Sequence, residues 1–358
     1  MPRKLASCLL ALSLTLPNIT PANAGADLNS LSALAAEATH LKLKPAEWQS
    51  LADKQIVTHA ISTRQTQEMA GFGAMVAEAS PQEFITAFKT LSVFERSEAT
   101  IACGRFSAEP MIEDLAKLTV SDKDLYALMK AQVNAAEIKL SEPDIARIRA
   151  AAGPSPLFNT RLKTGLAAEY KQMLLDKARA YLERGEASLT AYADQEETVN
   201  AKEAFAGILR SHSSAAERNP KLYAALNAFP NHEANTTESF LYWALQKFGK
   251  LKPVISLAHV MIYREGQRVF IASKQIYSSH YTEAGLGVAE FIPFSDQSGR
   301  TRTLAAYTVR LQVDLLGGSM GFMKKRMAQP HMLETIKTSL HWLRLNVEAL
   351  RQRPNYAV

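Results

Sequence analysis

The sequence predicts an α+β fold: an antiparallel sheet wrapped on a long C-terminal helix, with a large helical insertion between early and late strands. Three patterns carry this reading. After Lys250 the apolar residues recur with a period of two in four consecutive runs. From about Pro110 to Gly249 they recur at three- and four-residue spacing instead. Finally, Leu333, Ile336, Leu340, Leu343, Val347 and Leu350 form one continuous stripe, the signature of an amphipathic helix.

The elements follow in order. Arg3 and Lys4 precede an apolar run, Leu5 to Leu16, then Pro17 and the small residues Ala22-Asn23-Ala24. This predicts a secretory signal peptide over residues 1–24, cleaved after Ala24, and a mature chain that is periplasmic or secreted. The run is too short to span a bilayer. Cleavage removes Cys8 and two basic residues, leaving 334 residues, a net charge of +4 and Cys103 alone, which reads as a buried small hydrophobe.

Residues 25–109 are expected to form the N-terminal part of the sheet domain. A helix starts at Pro45, and Ile56–Ile61, Met69–Ala77 and Thr100–Ser107 read as strands. Ser80-Pro81-Gln82-Glu83 is a capping box that opens a helix to about Leu91. Residues 110–249 are expected to be a helical block, with Ser121, Ser141 and Thr237 as caps and Leu166, Tyr170, Met173, Leu174, Ala178 and Leu182 as one stripe. In residues 250–358 the four strand runs are Val254–Tyr263, Arg268–Tyr281, Leu286–Phe294 and Arg302–Asp314, and the closing helix spans Pro330 to Gln352. In the fourth run, Tyr307, Val309, Leu311 and Val313 make a buried face, and Thr308, Arg310, Gln312 and Asp314 a wet one. The first run is apolar on both faces, so both must be covered.

A strand pair, a capped helix, consecutive antiparallel strands and a long C-terminal amphipathic helix resemble the helix-grip fold of START-like lipid-transfer domains. That resemblance implies an apolar cavity between the sheet and the last helix. More locally, Tyr242-Trp243, Lys252-Pro253-Val254-Ile255-Ser256 and the SKQIYxSHY stretch, Ser273 to Tyr281, look like a family of uncharacterised secreted bacterial proteins. Many of its members carry two cysteines where this chain has Ala131 and Ala136, so that disulfide is not expected here.

Lys274 is the first candidate site residue, because it interrupts an otherwise neutral strand. If Glu265-Gly266 is the turn, His259 opposes Ala272, and Lys274 lies diagonally from it on the same face. A buried lysine there would be an acid–base group or would fix an anionic head group. A lysine at a strand edge would instead snorkel to water. Tyr277, Ser279 and Tyr281 share the opposite face with Gln275 and Ser273, a hydroxyl-rich stripe that suits either a cavity wall or an exposed sheet face. His259 and His280 fall some 26 Å apart at about 3.3 Å per residue, too far to share a metal ion. The candidate ligand-binding set is therefore Lys274, His259, Tyr277, His280, Tyr281 and Tyr307.

There is no phosphate loop, dinucleotide fingerprint or nucleophile elbow, so no cofactor is expected. Lys324-Lys325-Arg326, with Arg344, Arg351 and Arg353, reads as a solvated cationic face or a contact for an anionic membrane surface. Nucleic acid is not an expected partner. The functional expectation is an exported protein that binds a lipid or other hydrophobic small molecule between the sheet and the C-terminal helix. The alternatives are an enzyme using Lys274 and His259 in that cavity, and a protein-interaction module built on the helical block.

Overall fold

The computed structural model describes residues 28–90, 99–154, 157–196, 199–212, 219–231, 237–249 and 251–351. The expected leader, with Arg3, Lys4 and Cys8, lies outside these residues, as do Gln352 and Arg353. The chain opens with α1 (Leu28–Glu37) and α2 (Pro45–Ala52), then β1 (Val57–Ala60), β2 (Glu68–Ala77), α3 (Pro81–Lys89) and β3 (Thr100–Arg105). The insertion holds α4 (Asp122–Met129), α5 (Glu142–Ala152), α6 (Thr160–Arg184), a small ribbon of β4 (Ala191–Tyr192) and β5 (Val199–Asn200), α7 (Ala201–Ser211) and α8 (Pro220–Ala228). The chain returns as β6 (Thr237–Gln246), β7 (Val254–Glu265), β8 (Arg268–Ser278), β9 (Thr282–Ser295) and β10 (Thr301–Val313), and ends in α9 (Gly321–Arg351).

The eight-stranded sheet has the order β1-β2-β10-β9-β8-β7-β6-β3, so it stays open, with β1 and β3 at its edges. Every pairing is antiparallel. The structure thus shows the α+β class, the long closing helix and the helical insertion that the sequence predicts. The local signals explain much of it. The Glu83 carboxylate accepts from Ser80 N at 2.6 Å and Ser80 Oγ at 3.0 Å, closing the expected box at the start of α3. Ser121 and Ser141 accept from the backbone N–H of Asp124 and Asp144, capping α4 and α5.

Three expectations need correction. Thr237 begins a strand and caps no helix: Phe240, Tyr242 and Ala244 pack on one face of β6, and Leu241, Trp243 and Leu245 on the other. With both faces covered, the period of two is hidden in a continuous apolar run. The closing helix starts at Gly321, with Pro330 inside it, because an exposed proline removes only one helical hydrogen bond. Arg310, expected on a wet face, is buried and donates to Glu68 Oε1 at 2.5 Å, while Ser211 on α7 donates to Glu68 Oε2. The face of β10 that carries Arg310 is covered by α7, so alternation alone misassigns the polar side.

On one face, Ile336, Leu340, Leu343, Val347 and Leu350 of α9 join α3 and the inward residues of the sheet in a single core. α9 comes closest at Gly71 and Gly73 of β2. A Cβ at Gly73 would lie 2.5 Å from Ile336 Cγ2 and 2.7 Å from Leu340 Cδ1, so glycine is what permits the approach. On the other face lie three cores: α1 and α2 over β1, β2, β9 and β10; α7 and α8 over β7–β9; and α4–α6 over β6–β8. Trp243, fully buried in the last of these, lies against Gly104 and donates from Nε1 to the Asp114 carbonyl at 2.8 Å. Cys103 is buried in the α9-side core.

Candidate functional site

The β7–β8 hairpin sets where the candidate residues point. Its loop is the two residues Gly266-Gln267, with φ 59° at Gly266, and Glu265 pairs with Arg268. His259 therefore lies directly opposite Lys274, not Ala272, because the loop begins one residue later than the expected turn. A second irregularity follows: Leu257 pairs with Tyr277 and Ala258 with Gln275, so Ile276 is an extra residue in β8. That bulge moves Tyr277 onto the face of Lys274 and His259. Gln275 and Ser273 stay on the other face, as expected.

The face that Lys274, His259 and Tyr277 share is covered by the insertion, not by α9. The α9-side core takes Ala258, Val260 and Ile262 from β7, and the insertion side takes Leu257 and Met261. These residues therefore do not line a cavity between the sheet and the C-terminal helix, and the expected placement is corrected. Lys274 is fully buried, donates to Glu186 Oε1 at 2.6 Å, and stands 3.8 Å from the Phe205 ring centroid. Burial lowers its pKa, and Glu186 partly offsets that. His259 Nδ1 is 3.2 Å from the Tyr181 hydroxyl, and its ring packs 4.2 Å from that of Phe229. The geometry is that of a buried anchor between α6, α7 and the sheet.

Tyr277, His280 and Tyr281 also dock the insertion. The Tyr277 hydroxyl donates to the Lys139 carbonyl at 3.0 Å and meets the Tyr170 hydroxyl at 2.8 Å. His280 Nε2 is 3.1 Å from Asp124 Oδ1, and the Tyr281 hydroxyl accepts from Lys252 N. Ser279 Oγ accepts from Ile255 N at 2.9 Å, while its carbonyl accepts from Lys139 N. The side chain of Lys139, 2% exposed, lies 2.9 Å from Asp314 and 3.6 Å from Asp194. Residues 277–281 are thus part of the seam joining the insertion to the sheet.

Glu283 belongs to this seam. Burial raises its pKa; Lys139 lowers it, and Asp314 and Asp194 raise it further. A carboxyl whose folded pKa exceeds its unfolded value binds more protons when folded, so its contribution to stability falls as pH rises from the unfolded value through the folded one. Glu283→Gln should therefore be more stable than the parent at neutral pH and lose this acidic-side slope. Urea melts across pH 4–8 check this; an unchanged slope would reject it.

Tyr307 is the one candidate on the α9 face. There α9 makes its main sheet contacts with β1 and β2, and α3 touches β8 and β9. Ser273, Gln275, Tyr307, Val309 and Leu311 on strands β8 and β10 are consequently half-buried, as are Met332 and Leu333 on α9. Gly285 and Gly287 lie among them: a Cβ at Gly287 would be 2.6 Å from the Tyr307 hydroxyl, and one at Gly285 would be 3.0 Å from Leu311 Cδ2 and 3.5 Å from Gln275 Oε1. On this face the polar groups are the Tyr307, Tyr242 and Ser273 hydroxyls and the Gln275 carboxamide. Gln275 Oε1 accepts from Thr282 Oγ1 at 2.9 Å, and its Nε2 is buried without a hydrogen-bond partner. Turning the amide over leaves the other atom unmatched instead. Gln275 and Ser273 belong to the stripe that the sequence offers as a cavity wall or an exposed sheet face; Gly285 and Gly287, alternating on one strand, signal the close approach of Leu311 and Tyr307.

No protein-family model matches the chain, and no curated protein matches it. Among the described residues no cluster of histidine, cysteine or carboxylate side chains has the geometry to hold a metal ion. No described helix is long and apolar enough to cross a membrane.

Proposed function

We propose that this protein binds a lipid or another hydrophobic small molecule bearing one polar group, in the groove between the N-terminal half of α9 and strands β8–β10. The observation that carries the reading is the buried, unmatched Gln275 amide on this half-buried face. An unpaired buried amide costs roughly 1–3 kcal/mol, so turning the Gln275 side chain toward a ligand oxygen would be favoured. Ligand sites of this kind are mostly apolar, with a few placed polar groups. The resemblance of the sequence to START-like domains supports this reading, since it implies a ligand between sheet and last helix. With the signal peptide expected over residues 1–24, the protein would carry out this binding outside the cytoplasm.

The test is native mass spectrometry of protein purified from its own host, followed by titration with a fluorescent fatty acid, cis-parinaric acid. A bound small molecule and saturable binding are expected. Gly285→Leu, whose Cβ would lie 3.0 Å from Leu311 Cδ2, fills the space beside Gln275; it should weaken probe binding about tenfold or more and cost some stability, so binding is read on protein that circular dichroism shows to be folded. Gln275→Leu should weaken a carboxylate or alcohol ligand more than a plain hydrocarbon. A protein that never carries a ligand, with equal probe binding in parent and Gly285→Leu, would sink the proposal.

A further inference from the structure

The first turns of α9 carry an exposed apolar surface that no element of the described residues covers. Leu315, Met320, Phe322, Met323 and Met327 are 47%, 58%, 74%, 56% and 48% exposed. Phe322 lies about five turns before Leu340 at 3.6 residues per turn and so points to about the same side of the helix. Leu340 is 4% exposed and Phe322 74%, so here the helix overhangs the sheet that buries it farther along. Met323 and Met327, one turn apart, share the adjoining line, with Arg326 and Lys324 to either side.

Charge specifies the occupant. From Leu315 to Leu333 the chain has no acidic residue and three basic ones, Lys324, Lys325 and Arg326. Lys325 is tied down by its bonds to Thr63 and the Gln65 carbonyl, whereas Lys324 and Arg326 are exposed beside the methionines and Phe322. Flexible apolar side chains level with exposed cations form the pattern of a helix that sits in the headgroup region of a bilayer. A partner of mixed charge would leave those cations without a matching surface.

We infer that the segment Leu315–Met327 docks this protein on an anionic lipid bilayer, with Phe322, Met323 and Met327 entering the interface and Lys324 and Arg326 meeting the headgroups. This inference is independent of any ligand in the groove. The full chain is tested by flotation with vesicles of phosphatidylcholine alone and of equal parts phosphatidylcholine and phosphatidylglycerol. Binding to the anionic vesicles is expected, at least about tenfold stronger than to the neutral ones and weakened by salt. Combined Phe322→Ser, Met323→Ser and Met327→Ser, and separately Lys324→Glu with Arg326→Glu, should each reduce it about tenfold or more. All five side chains are exposed, so melting should not change. Absence of vesicle binding, equal binding to neutral vesicles, or binding unaffected by both variants overturns the inference. So does a dimer in the parent that Phe322→Ser dissolves, since a second copy would then be the occupant. Gly285→Leu separates the two proposals: it should abolish groove binding and leave flotation intact.

Discussion

Gly185→Ala should destabilise the chain by roughly 2–6 kcal/mol, the sum of a left-side backbone conformation and a steric clash. Gly185 caps α6 with φ 55° and ψ −130°, a region that L-residues avoid. Its added Cβ would lie 1.9 Å from the carbonyl oxygen of Phe229, a backbone atom that cannot swing away. The next residue is Glu186, the partner of Lys274, so displacement at Gly185 also pulls on the buried ion pair. Urea denaturation gives the measurement. Gly165→Ala is the matched control: it sits exposed within α6 with no atom within 4 Å of the new Cβ, and should gain up to about 1 kcal/mol from helix propensity alone. Equal midpoints for the two variants would show that the Gly185 backbone is not held as described.

Removing the carboxylate from the Lys274–Glu186 pair should cost far more than removing the amine. Glu186→Ala leaves a fully buried ammonium without its partner, for which about 3–5 kcal/mol is the usual loss. Lys274→Met keeps the volume and the contact with Phe205, and leaves Glu186, whose side chain is 17% exposed, able to reach water. That change should be neutral to within about 1 kcal/mol or stabilising. The pH dependence gives an independent reading. Because the folded pKa of Lys274 lies below its unfolded value, the unfolded chain binds more protons between the two, and stability rises with pH through that window. Glu186→Ala should extend the rise to lower pH and Lys274→Met should abolish it. If Lys274→Met is the more damaging of the two, the ammonium has a role that this pairing does not describe.

Periodicity made the sheet and the helices legible because each buries at least one face with its own spacing. The same logic hid β6, whose two faces are both apolar, and misjudged Arg310, whose polar face is covered by α7. Register is harder to read than period. Beginning the hairpin loop at Gly266 shifted the partner of His259 by two residues, which preserved the shared face of His259 and Lys274. One extra residue at Ile276 then moved Tyr277 to the other side. No local pattern told which layer would cover the Lys274 face, since the insertion and α9 are both amphipathic. The half-buried face of β8–β10 was legible only in part. Tyr307 could be placed by alternation, but the unmatched state of Gln275 depends on Thr282, Gly285 and Leu311 meeting in space.

Arg105 at the end of β3 pairs with Tyr242 of β6, so every residue of the helical insertion lies within what is, in connectivity, the loop of one hairpin. Removing that loop would leave the meander of strands intact on paper, while uncovering Leu241, Trp243, Leu245, Ile255 and Leu257 together. Such a truncated sheet would present a broad sticky slab to its neighbours in solution. The insertion is therefore inseparable from the sheet it interrupts, and neither part should be obtainable as a well-behaved fragment of the other.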